Sequence, residues 1–246
     1  MKFEMTMDPP LRIGMLTPSS NTVVEPMVTD ILASLPAVTA HAARLRVTEI
    51  SLTNQSQSQF AMETMLTAGN LLADAQVGVM GWNGTSASWL GFDLDQRLCD
   101  AITTRFAVPA TSAVLAINEL LETLGCHRIA MVTPYLDDIQ ARILSQYGDA
   151  GYECVAERHT GESVNYAFAE IAGSEIERLI REVAADGPDA IIVMCTNMRA
   201  APLVDRLEEE TGILIIDSLA AYVWKALRLG GIDTARIRGW GRLFSC

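Results

Sequence analysis

The chain has 246 residues, half of them hydrophobic, which suffices for one large domain or two small ones around a buried core. Its net charge of −12 argues against nucleic-acid and anionic membrane partners, because both require a basic surface. No apolar run approaches the ~20 residues that span a bilayer, and the N-terminal MKFEMTMDPP lacks the apolar core of a signal peptide. We therefore expect a cytoplasmic protein with no nucleic-acid partner and no membrane partner.

The cysteines and histidines do not form a recognisable metal or disulfide pattern. The five cysteines are odd in number, widely spaced and without a C-x-x-C motif: Cys99, Cys126, Cys154, Cys195 and Cys246. The three histidines lack ligand-like spacing, and there is neither a G-x-G-x-x-G fingerprint nor a Walker loop. The sequence predicts reduced thiols, no metal and no cofactor.

Short apolar runs alternate with longer helical patterns along the chain. The runs predict buried strands at Leu11–Leu16, Val77–Gly81, Ile129–Val132, Ala190–Met194 and Ile213–Ile216. Helices are predicted at Gln57–Leu72, Ala113–Leu124, Asp137–Ala150, Glu175–Ala185 and Ala201–Glu210. This βαβα order is typical of the α/β class, with parallel sheets that are covered by helices.

An internal repeat divides the chain into two similar halves. Arg12–Pro18 (RIGMLTP) and Arg128–Pro134 (RIAMVTP) share five of seven residues. Two later pairs of segments follow in the same order: Val77–Ser86 with Ile191–Asn197, and Val108–Val114 with Ile213–Ala221. We expect two lobes related by a pseudo-two-fold axis, each a parallel, flavodoxin-like sheet of three strands flanked by helices. The N-terminal lobe would comprise residues 1–115 plus 220–246, and the C-terminal lobe residues 116–219.

The repeat also predicts where a ligand binds. In open parallel sheets, ligands lie beyond the carboxyl ends of the strands, so two facing halves would share one cleft. Six strand-end loops should line it: Pro18–Thr22, Gly81–Ser88, Thr111–Ser112, Pro134–Asp138, Cys195–Met198 and Asp217–Ser218.

Cys195 is the candidate catalytic residue. It follows the apolar run IIVM and precedes Thr196, so it lies where a strand ends and a helix begins. A thiol near a helix N-terminus can have a lowered pKa and act as an acid, a base or a nucleophile. A buried structural cysteine is the alternative, and the repeat favours function because it places Cys195 in the cleft.

Hydrogen-bond donors accompany the cysteine in the other loops. Gly84 allows close backbone approach, and Thr85 and Ser86 could bind a carboxylate or an oxyanion, although they could also serve as helix N-caps. Tyr135 could point its hydroxyl into the cleft or simply pack. The Pro18–Thr22 loop, which includes Ser20 and Asn21, has more hydrogen-bonding side chains than an N-cap needs.

These residues resemble the aspartate/glutamate racemase superfamily, in the branch of arylmalonate decarboxylases and maleate cis-trans isomerases. The resemblance spans nearly the whole chain. PSSNT at Pro18–Thr22 is similar to the isomerases; GTSASW at Gly84–Trp89, YLDDIQARI at Tyr135–Ile143 and GWGRLF at Gly239–Phe244 are more similar to the decarboxylases. Racemases of the superfamily have cysteine at two symmetry-related positions, and isomerases use the first. Here these positions hold Gly84 and Cys195, the decarboxylase pattern.

The resemblance implies a cofactor-independent decarboxylase of a small substituted malonate. Thr85, Ser86 and Tyr135 would hold one carboxylate, with Gly84 and Thr196 beside it, and Cys195 would protonate the resulting enediolate. Trp82, Trp89 and Leu90 are expected on the apolar side of the substrate, or in ordinary core packing.

Two asparagines depart from the decarboxylase pattern. Asn21 resembles a carboxylate-binding residue of the isomerases, and Asn165 lies near where a second one is expected. An isomerase of the maleate or racemase type, and a hydrolase or binding protein for a small carboxylic acid, are therefore alternatives. In each case the expected partner is a small carboxylic acid. Relatives of this kind occur as monomers and oligomers, so a homo-oligomer is also open.

Overall fold

The computed structural model describes residues 10–246, so residues 1–9 of the expected first lobe, together with most of the segment assessed for a signal peptide, lie outside it. The described residues form eight strands: β1 (Leu11–Pro18), β2 (Val38–Leu45), β3 (Val79–Trp82), β4 (Ala110–Ser112), β5 (Arg128–Thr133), β6 (Glu153–His159), β7 (Ala190–Val193) and β8 (Leu214–Asp217). They also form ten α-helices: α1 (Val24–Ile31), α2 (Asn54–Ser58), α3 (Met62–Asp74), α4 (Ala87–Leu90), α5 (Phe92–Phe106), α6 (Ala113–Leu124), α7 (Asp137–Asp149), α8 (Gly173–Ala184), α9 (Ala201–Thr211) and α10 (Ser218–Leu229). Within this range, no helix is both long and apolar enough to cross a membrane.

The strands build two parallel four-stranded sheets with the same topology. The first has the order β2-β1-β3-β4 and the second the order β6-β5-β7-β8. This is the start of the flavodoxin-like strand order, in which connecting helices cover both faces. The predicted α/β class and the two similar halves are thereby confirmed.

The register of the two sheets aligns the halves residue by residue. Ile13 of β1 pairs with Val79, and its repeat counterpart Ile129 pairs with Ala190. Gly84 follows Val79 by five residues, as Cys195 follows Ala190. Gly84 and Cys195 therefore occupy equivalent positions, two residues beyond the ends of β3 and β7.

The prediction of three strands per half is wrong, because each sheet has a fourth strand. The strands that were missed, β2 and β6, lie at the edge of each sheet. Their sequences, VTAHAARL and ECVAERH, mix apolar with polar and charged residues, and both strands are only partly buried. Because β2 and β6 lack a continuous apolar run, the pattern that marks a buried strand is absent, whereas the opposite edge strand β8 is mostly buried and has such a run.

Most predicted helices are present with bounds that differ by a few residues. Helix α6 has the predicted bounds, and α7 and α9 differ from the prediction by one residue at their C-terminal ends. The helix predicted over Gln57–Leu72 is wrong at its start, since α2 ends at Ser58 and α3 begins at Met62. The prediction missed α1, α4, α5 and α10. Helix α10 is buried along most of its length, so it lacks the polar face that gives an amphipathic pattern.

Helices α6 and α10 are equivalent elements and pack against each other. The last residue of the preceding strand is the N-cap of each helix. Ser112 Oγ and Asp217 Oδ1 each accept the backbone N–H of the residue three positions further along the chain. Helix α10 also packs against β3 and β4, and the Tyr222 hydroxyl donates to the carbonyl of Gly14 at 2.8 Å. The C-terminal segment therefore contacts the first sheet, while the domain boundaries themselves stay a prediction.

Candidate active site

The loops after β1, β3, β5 and β7 meet in one cleft. The prediction that Thr111–Ser112 and Asp217–Ser218 also line it is wrong, because Ser112 and Asp217 cap the buried helices α6 and α10. The space between the four loops, including its mouth, measures about 280 Å³. Its walls come from both halves: Pro18, Val47, Ile50, Phe60, Trp82, Gly84, Thr85, Ser86, Trp89, Tyr135, Asn165, Cys195 and Thr196. The structure thus brings together most of the residues predicted for the site, and Ser20 and Asn21 contact them from the loop after β1.

Cys195 lies two residues beyond β7 and is only 3% exposed. Burial raises the pKa of its thiol to about 12, and the nearby Asp217 adds to the rise; the backbone N–H of Asn197 and the Tyr135 hydroxyl oppose it. The pKa is therefore raised rather than lowered, because loss of hydration outweighs the donors at the strand end. The thiol stays protonated near neutral pH, which suits a proton donor better than a thiolate nucleophile.

Tyr135 joins the first half of the site to the second. Its hydroxyl lies 2.7 Å from the hydroxyl oxygen of Thr85. Burial raises the tyrosine pKa well above its ordinary value, and Cys195 contributes to the rise. The phenol is therefore neutral. Within the Thr85–Tyr135 pair one hydroxyl proton is used in the mutual hydrogen bond and the other can reach a ligand oxygen.

Ser86 is oriented by an aromatic neighbour. The indole Nε1 of Trp82 donates to the Ser86 hydroxyl oxygen at 3.0 Å, within the protein interior. Since that oxygen accepts the indole N–H, the hydroxyl proton of Ser86 is free to point elsewhere. Thr85 and Ser86 directly precede the four-residue helix α4.

Four of the predicted residues form hydrogen bonds that cross between the halves. Asn21 accepts two backbone N–H groups at the start of α1 and donates to the Thr196 hydroxyl at 3.3 Å. Asn165 donates to the Ser20 hydroxyl at 2.7 Å, and Ser20 donates to the carbonyl of Val47 at 2.6 Å. Asn165 and Thr196 line the cleft together with the thiol, and the four side chains join the two halves.

Asn197 belongs to the same network and was not singled out from the sequence. Its side chain accepts the backbone N–H of Thr22 at 3.0 Å and donates to the carbonyl of Asn165 at 2.5 Å. Its own backbone N–H donates to the sulfur of Cys195 at 3.4 Å. Its position in the predicted Cys195–Met198 loop was the available signal, but no motif distinguished it there.

Aromatic side chains form the apolar wall of the cleft. Trp82 and Trp89 line the cleft as expected, whereas Leu90 lines a separate, neighbouring pocket beside α3 and α5. Phe60 packs edge-on against both tryptophans, with ring centroids 6.1–6.2 Å apart. The sequence placed Phe60 inside a helix, and the break between α2 and α3 is what turns it into the cleft. Tyr135 contacts Trp89 with ring centroids 5.1 Å apart.

The site therefore combines one neutral thiol, several hydroxyl donors and an apolar wall. Among residues 10–246, no group of three or more His, Cys, Asp or Glu side chains is placed to hold a metal ion. Chemically, such a cleft can bind an oxyanion through hydrogen bonds and deliver one proton from the thiol.

The fold and the cleft define a two-lobed α/β protein whose duplicated halves share one cleft. The chain belongs to the arylmalonate decarboxylase family, whose model matches residues 13–244. The resemblance inferred from the sequence is thereby confirmed.

Two curated relatives represent different activities in this family. Maleate isomerase of Pseudomonas putida is 25% identical over 251 residues, covering 95% of this chain and 97% of the relative. Arylmalonate decarboxylase of Bordetella bronchiseptica is 25% identical over 186 residues, covering 74% and 78% respectively. Both relatives are enzymes. One is an isomerase and the other a decarboxylase, so the comparisons do not distinguish the two activities for this chain.

A solved structure shares the whole fold. It is a Nocardia farcinica maleate cis-trans isomerase, a cysteine-to-serine mutant with a covalently bound succinylcysteine intermediate. It superimposes with a TM-score of 0.85 at 24% identity and covers 95% of this chain and 98% of its own. At this identity the match establishes the fold alone.

Proposed function

We propose that the protein is a cofactor-independent decarboxylase of a small substituted malonate. One observation carries the proposal: a buried, protonated thiol at Cys195 and a glycine, Gly84, at the equivalent position of the other half. A single acid suits a reaction that adds one proton to a planar carbanion. Racemisation by two bases needs a proton-transferring group at both positions.

The proposed substrate is held through one carboxylate. Its oxygens accept hydrogen bonds from Ser86, whose oxygen is engaged by Trp82, and from the free proton of the Thr85–Tyr135 pair. Donors fixed by the protein before the substrate arrives need no reorganisation as charge develops. The same donors then stabilise the enediolate.

The second carboxylate lies against the apolar wall formed by Val47, Ile50, Phe60 and Trp89. A carboxylate there loses hydration, which favours its departure as neutral CO₂. The bond between this carboxyl carbon and the α-carbon breaks, and its electron pair delocalises into the carboxylate that is held. Because hydrogen bonds accommodate this charge, the proposal includes no metal and no cofactor.

Cys195 completes the reaction by giving its proton to the α-carbon. A thiol with a pKa of about 12 is far more acidic than the carbon acid that forms, so this transfer is downhill. Solvent then reprotonates the thiolate. The balance is one malonate and one proton consumed, with one monocarboxylate and one CO₂ released.

An isomerase of the maleate type is the second candidate. Asn165 and Thr196 line the cleft and give one side of it a polar character that suits a dicarboxylate with two held ends. The Nocardia isomerase forms a covalent bond from a cysteine to a succinyl group. Gly84 cannot form such a bond, and the neutral thiol of Cys195 is a weak nucleophile, so we rank this candidate second.

Incubation with 2-methyl-2-phenylmalonate and with maleate separates the candidates. The proposal expects CO₂ release from 2-methyl-2-phenylmalonate, or from a disubstituted malonate with smaller or more polar substituents. Because the α-carbon of such a product carries three different groups and hydrogen, one enantiomer should dominate on chiral chromatography. Conversion of maleate to fumarate without CO₂ release would replace it with the isomerase. Tight binding of dicarboxylates by calorimetry, with no turnover of either, would favour a binding protein. Hydrolysis of an amide or ester of such an acid would favour a hydrolase.

A further inference from the structure

We infer that Trp82 makes the cleft one-sided, because its indole fills the space opposite Cys195 that a side chain at position 84 would enter. The inference deepens the proposed decarboxylation and rests on it for the stereochemistry. The steric part concerns only Trp82 and Gly84, and it stands whatever the reaction is.

The indole lies against the missing side chain of Gly84. A Cβ atom built on Gly84 would be 2.3 Å from Cζ2 of Trp82, 2.5 Å from Cε2 and 3.0 Å from Cη2. Carbon atoms make favourable contacts at about 3.5–4.0 Å, so even alanine at position 84 requires the indole to move.

The indole is held too firmly to move at little cost. Trp82 is 1% exposed, its Nε1 donates to Ser86, and Phe60 packs edge-on against it with ring centroids 6.2 Å apart. A shift of the ring would break a buried hydrogen bond and open a gap beside Phe60.

In the second half, the strand-end residue is smaller, and the residue two positions later is larger, than in the first half. Val193 pairs with Val132 as Trp82 pairs with Leu16, so the strand-end residue equivalent to Trp82 is a valine. A small residue at the strand end accompanies the cysteine in one half, whereas the tryptophan accompanies the glycine in the other. The pairs Val193–Cys195 and Trp82–Gly84 therefore fill equivalent space in the two halves, the first pair with two side chains of moderate size and the second with one large side chain.

The consequence for the reaction is protonation from one face. Cys195 faces one side of a planar enediolate in the cleft, and the opposite side meets the indole, which carries no proton-transferring group in that position. A thiol introduced at position 84 would have to displace the indole before it could take up an α-proton while Cys195 delivers one to the other face. Replacing Gly84 alone is thus insufficient for racemisation.

Thermal unfolding tests the steric part without reference to any activity. Gly84→Ala is expected to lower the Tm by about 3–10 °C in the natural background, the range for overpacking in a chain of this size. In a Trp82→Leu background the same substitution should lower the Tm by less than half as much. Gly148→Ala is the matched control, because no atom lies within 4 Å of its Cβ position, and it should leave the Tm unchanged or slightly higher. Equal losses from Gly84→Ala in both backgrounds, or no loss in either, would overturn the inference.

Optical purity and deuterium uptake test the catalytic part. With Gly84→Cys alone, the monoacid product of 2-methyl-2-phenylmalonate should stay a single enantiomer and exchange no α-hydrogen in D₂O. With Trp82→Leu added, exchange and racemisation should be at least about tenfold faster. The indole would then no longer keep the introduced thiol away from the α-proton. Racemisation by Gly84→Cys alone at the rate of the double variant would refute the role of Trp82. Absence of CO₂ release by the natural protein would instead refute the proposed decarboxylation, and the Tm comparison would still decide the role of Trp82.

Discussion

Tyr135→Phe is the substitution that most directly tests the hydrogen-bond part of the proposed mechanism. It removes one hydroxyl, which lies 2.7 Å from Thr85 Oγ1 and faces Cys195. The ring itself is retained, so its contacts with Trp89 at 5.1 Å and with Phe168 at 5.5 Å persist. The substitution therefore removes the hydrogen bonds of the hydroxyl and leaves the packing of the ring unchanged.

The size of the effect follows from what the hydroxyl does. Removal of one donor to a developing oxyanion lowers kcat by about 10²–10³-fold, or about 3–4 kcal/mol of transition-state stabilisation. The effect on folding is smaller, because one buried hydrogen bond contributes about 1 kcal/mol and Thr85 can turn its own hydroxyl to another acceptor. We expect a Tm loss of about 2–4 °C.

Tyr147→Phe is the matched control for this experiment. The Tyr147 hydroxyl is also buried and donates to Asn118 at 2.9 Å, outside the cleft. It should show a similar Tm loss and keep its kcat. Initial rates of CO₂ release with saturating malonate measure kcat, and differential scanning fluorimetry measures the Tm. A Tyr135→Phe variant within about threefold of the natural kcat would refute the assigned role, as would an equal loss of kcat in Tyr147→Phe.

Three further predictions concern the acid, a buried carboxyl group and the contacts between the halves. Cys195→Ser should reduce CO₂ release by more than about 10²-fold, because a hydroxyl is a weaker acid than the thiol, with little change in far-UV circular dichroism; retention of full activity would contradict the role of the thiol. Burial raises the pKa of Asp95 to about 7 from 3.8, so the stability it contributes at acid pH is lost as the pH rises from about 4 to 7. Asp95→Asn should therefore lose less unfolding free energy than the natural protein between pH 5 and pH 8 in urea titrations, and identical pH profiles would exclude this explanation. Asn197→Ala removes the partners of the Thr22 N–H and the Asn165 carbonyl, so the Tm should fall by about 2–10 °C and amide exchange should quicken at Thr22; unchanged exchange would show that this side chain does not join the halves.

Sequence patterns predicted the central part of each sheet well. Strands β1, β5 and β7 carry uninterrupted apolar runs because both of their faces are buried, and such runs are visible without any structure. The edge strands β2 and β6 have one partner strand and partly exposed side chains, so their sequences carry no comparable pattern. Long-range pairing decides that these segments are strands at all.

The residues of the candidate site were predictable in kind but not in detail. The repeat placed the loops of Gly84 and Cys195 at strand ends that face one cleft, and the resemblance to the racemase superfamily paired the two positions. The sheet register aligns Gly84 with Cys195 in the same way. The roles of Asn197 and Phe60 depend on a hydrogen bond to a distant loop and on a break between two helices. Neither is a property of the local sequence.

The sequence by itself determined the duplicated α/β fold, which follows from the order and spacing of short segments, and its resemblance to a known family indicated one thiol opposite a glycine. Only the tertiary structure decided the chemical state of that thiol and the reason for the glycine. Burial from both halves raises the pKa of Cys195, and the indole of Trp82 occupies the volume beside Gly84. Desolvation and excluded volume depend on atoms that are distant along the chain, so no local pattern of residues could have predicted them.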